Sequence, residues 1–222
     1  MVVLIIWDDE ILDLRLFDKS ISKLDTEIYI LNSQSAMNLL KPRLNIEDFM
    51  LAMMRVPSSQ LHLVELEDWV SRLDLNDDFW QMHINFCCES YQRQLVCRTS
   101  RFDMVMICWQ PQQCSNIHDH ADSLNVTRVY QGVLTSRAFL RNDACKGKES
   151  LILNKEEYLQ TDELTRVDRY EIHQLANTSA ENLVTLHVYA RPLTYIQVYS
   201  PITDQAERLP VRYTHEEQYT VS

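Results

Sequence analysis

The chain has 222 residues, 45% of them apolar, only two glycines, six cysteines and a formal net charge of -11. That length suits one large domain with a real core, while the acidic surplus argues against nucleic acid and anionic membranes as main partners. So few glycines leave no room for Gly-rich phosphate loops, and none of the cysteines forms a Cys-x-x-Cys pair, so zinc ribbons and thioredoxin-like redox chemistry are not expected.

Met1 to Trp7 is apolar and strand-like, but Asp8, Asp9 and Glu10 follow at once. Without a basic start or a longer apolar run, no secretory leader is expected, no stretch approaches a membrane span, and the reading is cytoplasmic. Ser20 to Leu24 suggests a short helix, and Lys41-Pro42-Arg43 a break, because proline disfavours helix in the residue before it. Asn45 is a plausible N-cap, with Glu47 and Asp48 in the first turn where they complement the helix dipole. Ile46, Phe49, Met50 and Met53 recur at helical spacing, and Pro57 ends the run. Leu63 to Leu73 reads as a second amphipathic helix, and a third is expected from about Asp78 into Glu89.

From Tyr91 the pattern becomes one of short runs rich in Val, Ile, Leu and aromatics: Arg93 to Cys97, Phe102 to Trp109, Val126 to Tyr130, Val133 to Leu140, Ser150 to Leu153, Tyr170 to Leu175, Leu183 to Tyr189 and Tyr195 to Tyr199. Many short strands with turn signals between them predict a β-sandwich or barrel. Gly132 falls between two such runs, where a tight turn needs its backbone freedom.

His118-Asp119-His120 lies in a segment leading into that β-rich part. On a strand, side chains two apart share a face, so both imidazoles aim at one point, where a transition metal can sit. Asp119 must then face away. A His-x-His pair needs a third ligand, and two histidines on late strands are candidates: His173 and His187, the latter on one face with Thr185 and Tyr189. Each alone is readily a hydrogen-bonded core histidine; four together are harder to explain that way.

The run His118-Asp119-His120-Ala121-Asp122-Ser123, Gly132 in the next turn, His173 with Asn177, and Leu186-His187-Val188-Tyr189 together resemble the cysteine dioxygenase family of the cupin superfamily. Tyr91 to Val96 and Ile107-Cys108-Trp109 are similar to it in the same order, so the likeness spans about Phe79 to His215. The resemblance implies a mainly β fold, a cupin-type double-stranded β-barrel (jelly roll) with a helical N-terminal region. Residues 1–222 would form a single domain, with 1–90 mostly helical and 91–222 the barrel and metal site.

The resemblance further implies a mononuclear Fe(II) on His118, His120 and His173, with a small thiol and O2 as partners and no nucleic acid, membrane or second subunit. Arg93 would take the substrate carboxylate with Tyr91 beside it, and Tyr189 and His187 would be catalytic, supported by Thr185. Two positions depart from the family. Asn125 stands where many members carry the cysteine that cross-links to the tyrosine, so no Cys–Tyr cofactor is expected. Ala190-Arg191-Pro192 replaces a Ser-Pro-Pro loop, which implies a trans or reshaped loop with Arg191 either a further substrate anchor or solvent-facing. Cysteine comes first as substrate and 3-mercaptopropionate or another thiol acid second; a cupin that binds without turnover, or a metal-dependent isomerase, are the alternatives.

Overall fold

A computed structural model describes residues 2–7, 10–14, 28–31, 41–57, 60–75, 78–142, 150–200 and 206–216. The expected helix at Ser20 to Leu24 lies outside these, as do Cys145 and Gly147. The chain divides into two compact units, 1–43 and 44–222. In the first, β1 (Val2–Trp7) is central, pairing antiparallel with β2 (Glu10–Leu14) and parallel with β3 (Ile28–Leu31). Among the described residues to 90, the strands lie in the first unit and the helices in the second. Val-Val-Leu-Ile-Ile-Trp is β-branched and apolar without alternation, the pattern of a strand flanked on both sides.

The second unit begins with three helices. The Asn45 Oδ1 accepts the Asp48 N–H at 2.8 Å and caps α1 (Ile46–Arg55). The Glu65 carboxylate accepts the His62 N–H at 3.3 Å and helps start α2 (Leu63–Arg72). Each buries an i, i+4 pair on its inner side, Phe49 with Met53 and Leu66 with Val70. The third, α3 (Asp78–Gln81), is far shorter than expected. Turn bonds from the His83 and Ile84 amides to the Trp80 and Gln81 carbonyls close it. The chain then runs on irregularly, with the Asn85 N–H on the Cys108 sulfur and the Cys87 carbonyl accepting from Gln113.

Two six-stranded sheets follow. The first has the order β10 (Leu164–Val167), β7 (Leu124–Gln131), β12 (Leu183–Ala190), β5 (Phe102–Trp109), β4 (Gln92–Arg98), β15 (His215–Glu216). The second has β14 (Ala206–Pro210), β13 (Tyr195–Tyr199), β6 (Ile117–Asp119), β11 (Ile172–Ala176), β8 (Leu134–Asn142), β9 (Ser150–Leu159). The mainly β, cupin-type jelly roll with helices ahead of it is thus the fold of this unit, although the sheets do not close into a complete barrel. β4 and β5 form the hairpin expected around Thr99. Gly132 does not join a hairpin: it carries the chain from one sheet to the other, at φ +91 and with an added Cβ only 2.7 Å from the Asn182 carbonyl oxygen.

β5 and β12 are buried along their whole length. Phe102, Met104, Met106 and Cys108, with Val184, Leu186, Val188 and Ala190, pack with the helices' Phe49, Met53, Leu66 and Val70. Their alternate residues, Val105, Ile107, Trp109, Leu183 and Tyr189, meet Leu134 and Leu175 of the second sheet. Arg128 locks the helices to this frame: it is buried, donates to the Leu73 carbonyl at 2.7 Å and the Val70 carbonyl at 3.2 Å, and pairs with Asp162. It thereby satisfies the open C-terminal end of α2.

Candidate metal centre

His118 lies on β6 and His173 on β11, directly paired in register. His120 follows one residue after β6, where Ala121 takes φ +50 and turns the chain. The His118 and His120 Nε2 atoms stand 3.2 Å apart, and those of His120 and His173 3.1 Å apart. All three rings are buried, and among the described residues this is the one group of three potential ligand side chains that converges. The alternation argument places Asp119 correctly on the opposite side: its carboxylate accepts from the Ala121 N–H and from the Tyr199 hydroxyl on β13.

The donor set suits a transition metal. The His118 Nδ1–H donates to the Asn116 carbonyl oxygen at 2.8 Å, which leaves Nε2 a bare lone pair aimed at the other imidazoles. Burial lowers the His118 pKa to about 4 and holds those of His120 and His173 well below the usual imidazole value, helped by mutual repulsion of the rings. Neutral imidazoles are what a metal binds. Nitrogens about 2.1 Å from one ion stand about 3.0 Å apart at a right angle and about 3.4 Å apart in a tetrahedron. The observed separations of 3.2 and 3.1 Å fall between these values, so the three nitrogens are spaced to share one ion.

Tyr189 and Arg93 face this cluster. The Tyr189 ring meets His120 edge-on at 5.1 Å, and its phenol lies near the Arg93 guanidinium. Burial pushes the Tyr189 phenol up, so it stays protonated. The Arg93 Nε and Nη2 are buried with no hydrogen-bond partner. Five residues along the same strand, Arg98 uses that same edge to grip Asp103, with both N–H···O distances at 2.8 Å. Arg93 thus presents an empty carboxylate fork. Tyr91 stacks on Trp109 at 4.4 Å between ring centres.

His187 is fixed by Thr185 at 2.8 Å and by Thr127 at 2.9 Å; its contact with the Tyr189 hydroxyl is longer, at 3.5 Å. Asn125 is fully buried and lies opposite Tyr189 on β7, donating to the Val188 carbonyl oxygen instead of pointing to the histidines. Arg191 is not brought to the cluster. It adopts φ +37, pairs with Asp122 at the surface and offers only its backbone carbonyl, which accepts from Ser123. The described residues contain no cis peptide bond, so the peptide before Pro192 is trans. Cys114 is exposed and lies outside the cluster.

Sequence reasoning missed Thr127, Asp103 and Tyr213. Asp103 is fully buried and collects Arg98, the Tyr213 hydroxyl and the Leu193 N–H. Tyr213 lies over both arginines, 5.6 Å from the Arg93 guanidinium carbon and 5.1 Å from that of Arg98. The Thr214 N–H donates to the Arg93 carbonyl at 2.8 Å, so the segment before β15 lines the arginine's strand. A surface groove of about 670 Å³ runs along β8 to β11, lined by side chains of both charges. Of the three histidines it includes only His173, and neither Arg93 nor Tyr189 lines it.

A family described as Cysteine dioxygenase type I matches residues 58–201, a span that contains the three histidines, Arg93 and Tyr189. The chain belongs to this family. It is 24% identical over 178 residues to "Cysteine dioxygenase type 1" of Rattus norvegicus, covering 79% of this chain and 88% of that one. The protein of the same name from Danio rerio is 26% identical over 158 residues, covering 69% and 78%. Among solved structures, a Thermus thermophilus protein aligns at a TM-score of 0.44 and 18% identity over 54% of this chain and 99% of its own. A Klebsiella pneumoniae protein described as having a double-stranded beta-helix domain aligns at a TM-score of 0.40 and 14% identity over 50% and 85%. Family membership makes the chain a dioxygenase-type oxidoreductase. No helix among the described residues is long and apolar enough to cross a membrane.

Proposed function

We propose that the protein is an Fe(II)-dependent thiol dioxygenase that adds both atoms of O2 to the sulfur of a small thiol carboxylate, L-cysteine first and 3-mercaptopropionate second. The reaction is R–S⁻ + O2 → R–SO2⁻: sulfur gives up four electrons, O2 takes them, and no external reductant enters. The observation that carries the reading is the juxtaposition of three neutral, converging imidazoles with a buried arginine whose Nε–Nη2 edge has no partner.

His118, His120 and His173 would hold the iron. Bound there, iron supplies the oxygen chemistry, and the protein supplies geometry and electrostatics. Three neutral ligands leave the metal's positive charge unreduced, which favours an anionic thiolate. Arg93 binds the substrate carboxylate through two parallel hydrogen bonds and so fixes the distance of the sulfur from the histidines. The phenol of Tyr189, kept protonated by burial and lying near Arg93, is a donor at the reacting end. His187, held by Thr185, limits the positions Tyr189 can take. Leu95, Ile107, Trp109, Leu175 and Leu193 pack around Tyr189 and keep bulk water from it. Asn125 leaves no sulfur for a thioether, so Tyr189 acts unmodified. The chain would act as a cytoplasmic monomer.

The test is anaerobic reconstitution with Fe(II), then O2 uptake over L-cysteine, 3-mercaptopropionate and cysteamine, with product mass. The expected result is one O2 per thiol and a product heavier by two oxygen atoms for the thiol carboxylates, with cysteamine, which has no carboxylate, far slower. No uptake with any thiol carboxylate would contradict the reading.

A further inference from the structure

β7 and β12 lie side by side with His187 opposite Thr127 and Tyr189 opposite Asn125. Five polar groups there form an unbroken chain: Trp109, Thr185, His187, Thr127 and Asn125, all buried. Its two ends are chemically fixed. At one, the indole Nε1–H can only donate, and it reaches the Thr185 Oγ1 at 2.9 Å. At the other, the Val188 carbonyl can only accept, so the Asn125 amide nitrogen faces it at 3.2 Å and the Asn125 Oδ1 faces Thr127 at 3.0 Å.

That carbonyl-type oxygen takes the Thr127 hydroxyl proton, so the Thr127 Oγ1 meets His187 Nδ1, 2.9 Å away, as an acceptor. Nδ1 therefore carries the imidazole proton. Nε2 is then bare and accepts the Thr185 hydroxyl proton at 2.8 Å. The reverse arrangement would strand the buried Asn125 Oδ1 without a donor and would turn the Thr185 proton to the Ile107 carbonyl at 3.4 Å, a longer bond than the one it lost.

We propose that Asn125 and Thr127 are positioning residues that fix His187 as its Nδ1–H tautomer and thereby direct the hydroxyl proton of Tyr189. With Nδ1 protonated, His187 cannot accept from the Tyr189 hydroxyl 3.5 Å away. The Arg93 guanidinium, which lies beside the phenol, has no acceptor and cannot take that proton either. The phenol proton is left to point into the space between Arg93 and the three histidines, where a substrate sulfur or oxygen would take it. Asn125 thus stands opposite Tyr189 as an orienting amide. The consequence for Tyr189 rests on the proposed dioxygenase reading; the tautomer does not.

The test is ¹⁵N NMR of histidine-labelled, metal-free full chain, with His187 assigned through His187→Gln. The expected spectrum shows a protonated Nδ1 and an unprotonated Nε2. Thr127→Val should move proton population to Nε2, and Thr127→Ser should restore the wild-type pattern. Asn125→Ala frees the Thr127 hydroxyl to donate to His187 and should move the population the same way; it decides the question if Thr127→Val does not fold. In the iron-loaded chain, folded Thr127→Val should lose roughly tenfold in kcat with KM little changed, and Thr127→Ser should recover it. A wild-type His187 with its proton on Nε2, or folded Thr127→Val and Asn125→Ala chains with the wild-type tautomer, overturns the inference. Because the tautomer is read without turnover, an absence of O2 uptake bears on the dioxygenase reading alone.

Discussion

The two faces of β12 differ as sharply as any two regions of the molecule. Towards the helices it presents Val184, Leu186, Val188 and Ala190, which join one large apolar cluster. Towards the second sheet it presents Leu183, Thr185, His187 and Tyr189, three of them polar and tied to each other and to Trp109 and Thr127. Both faces are dry, but by different means: the outer by burying hydrocarbon, the inner by giving each polar atom on the strand a partner. The outer face therefore sets stability, and the inner face sets what the protein can do.

The sharpest way to break that division is from outside. Leu186→Ala should cost about 3 kcal/mol of stability, within the range for a buried leucine. Denaturant titration reads this, and the folded fraction should keep its activity per molecule. The inner face has its own signature in acid. Burial depresses the His118 pKa from 6.5 to about 4 in the folded, metal-free chain. Between those values the unfolded chain binds the extra proton, so stability rises with pH there. It should be intact above about 6.5 and decline as pH falls towards 4, by on the order of 3 kcal/mol for this group. Urea midpoints from pH 7 down to 4 would show it, and bound metal should hold the midpoint up against mild acid.

Arg93→Gln should raise KM for thiol carboxylates roughly thirtyfold, about 2 kcal/mol, while leaving the urea midpoint close to that of the wild type. The rate with cysteamine should hardly change, which ties the loss to the carboxylate. Smallest of all, Arg191→Ala breaks a surface pair whose side chains are 45% and 48% exposed, and should cost under about 1 kcal/mol with kinetics unaltered.

Much of this was legible in the chain. Phe102 to Trp109 and Tyr195 to Tyr199 have the expected ends, because β-branched and aromatic residues fill them and polar turns bound them. His118 and His120 converge because a two-residue spacing needs only local geometry. β10 and β14 escaped notice: Leu-Thr-Arg-Val and Ala-Glu-Arg-Leu-Pro carry too few apolar residues to show a period, and they form through pairing with neighbours. The third helix stops short because tertiary contacts of Trp80 and Asn85 override local propensity. β1 was legible as a strand, but β3 joins it through a parallel pairing across a long stretch of chain, which no local window reports. Thr127 and Tyr213 were invisible for a related reason. Each matters through a register, β7 on β12 and the final strand on β4, that only the assembled sheet defines.

The account stands on the three histidines sharing one ion. Anaerobic titration of the metal-free chain with Fe(II) tests this most directly. It should give one tight site per chain, lost in His118→Ala, His120→Ala and His173→Ala alike and retained in His187→Gln. Undiminished Fe(II) binding in any of the first three, or its loss in the fourth while the chain stays folded, would contradict it.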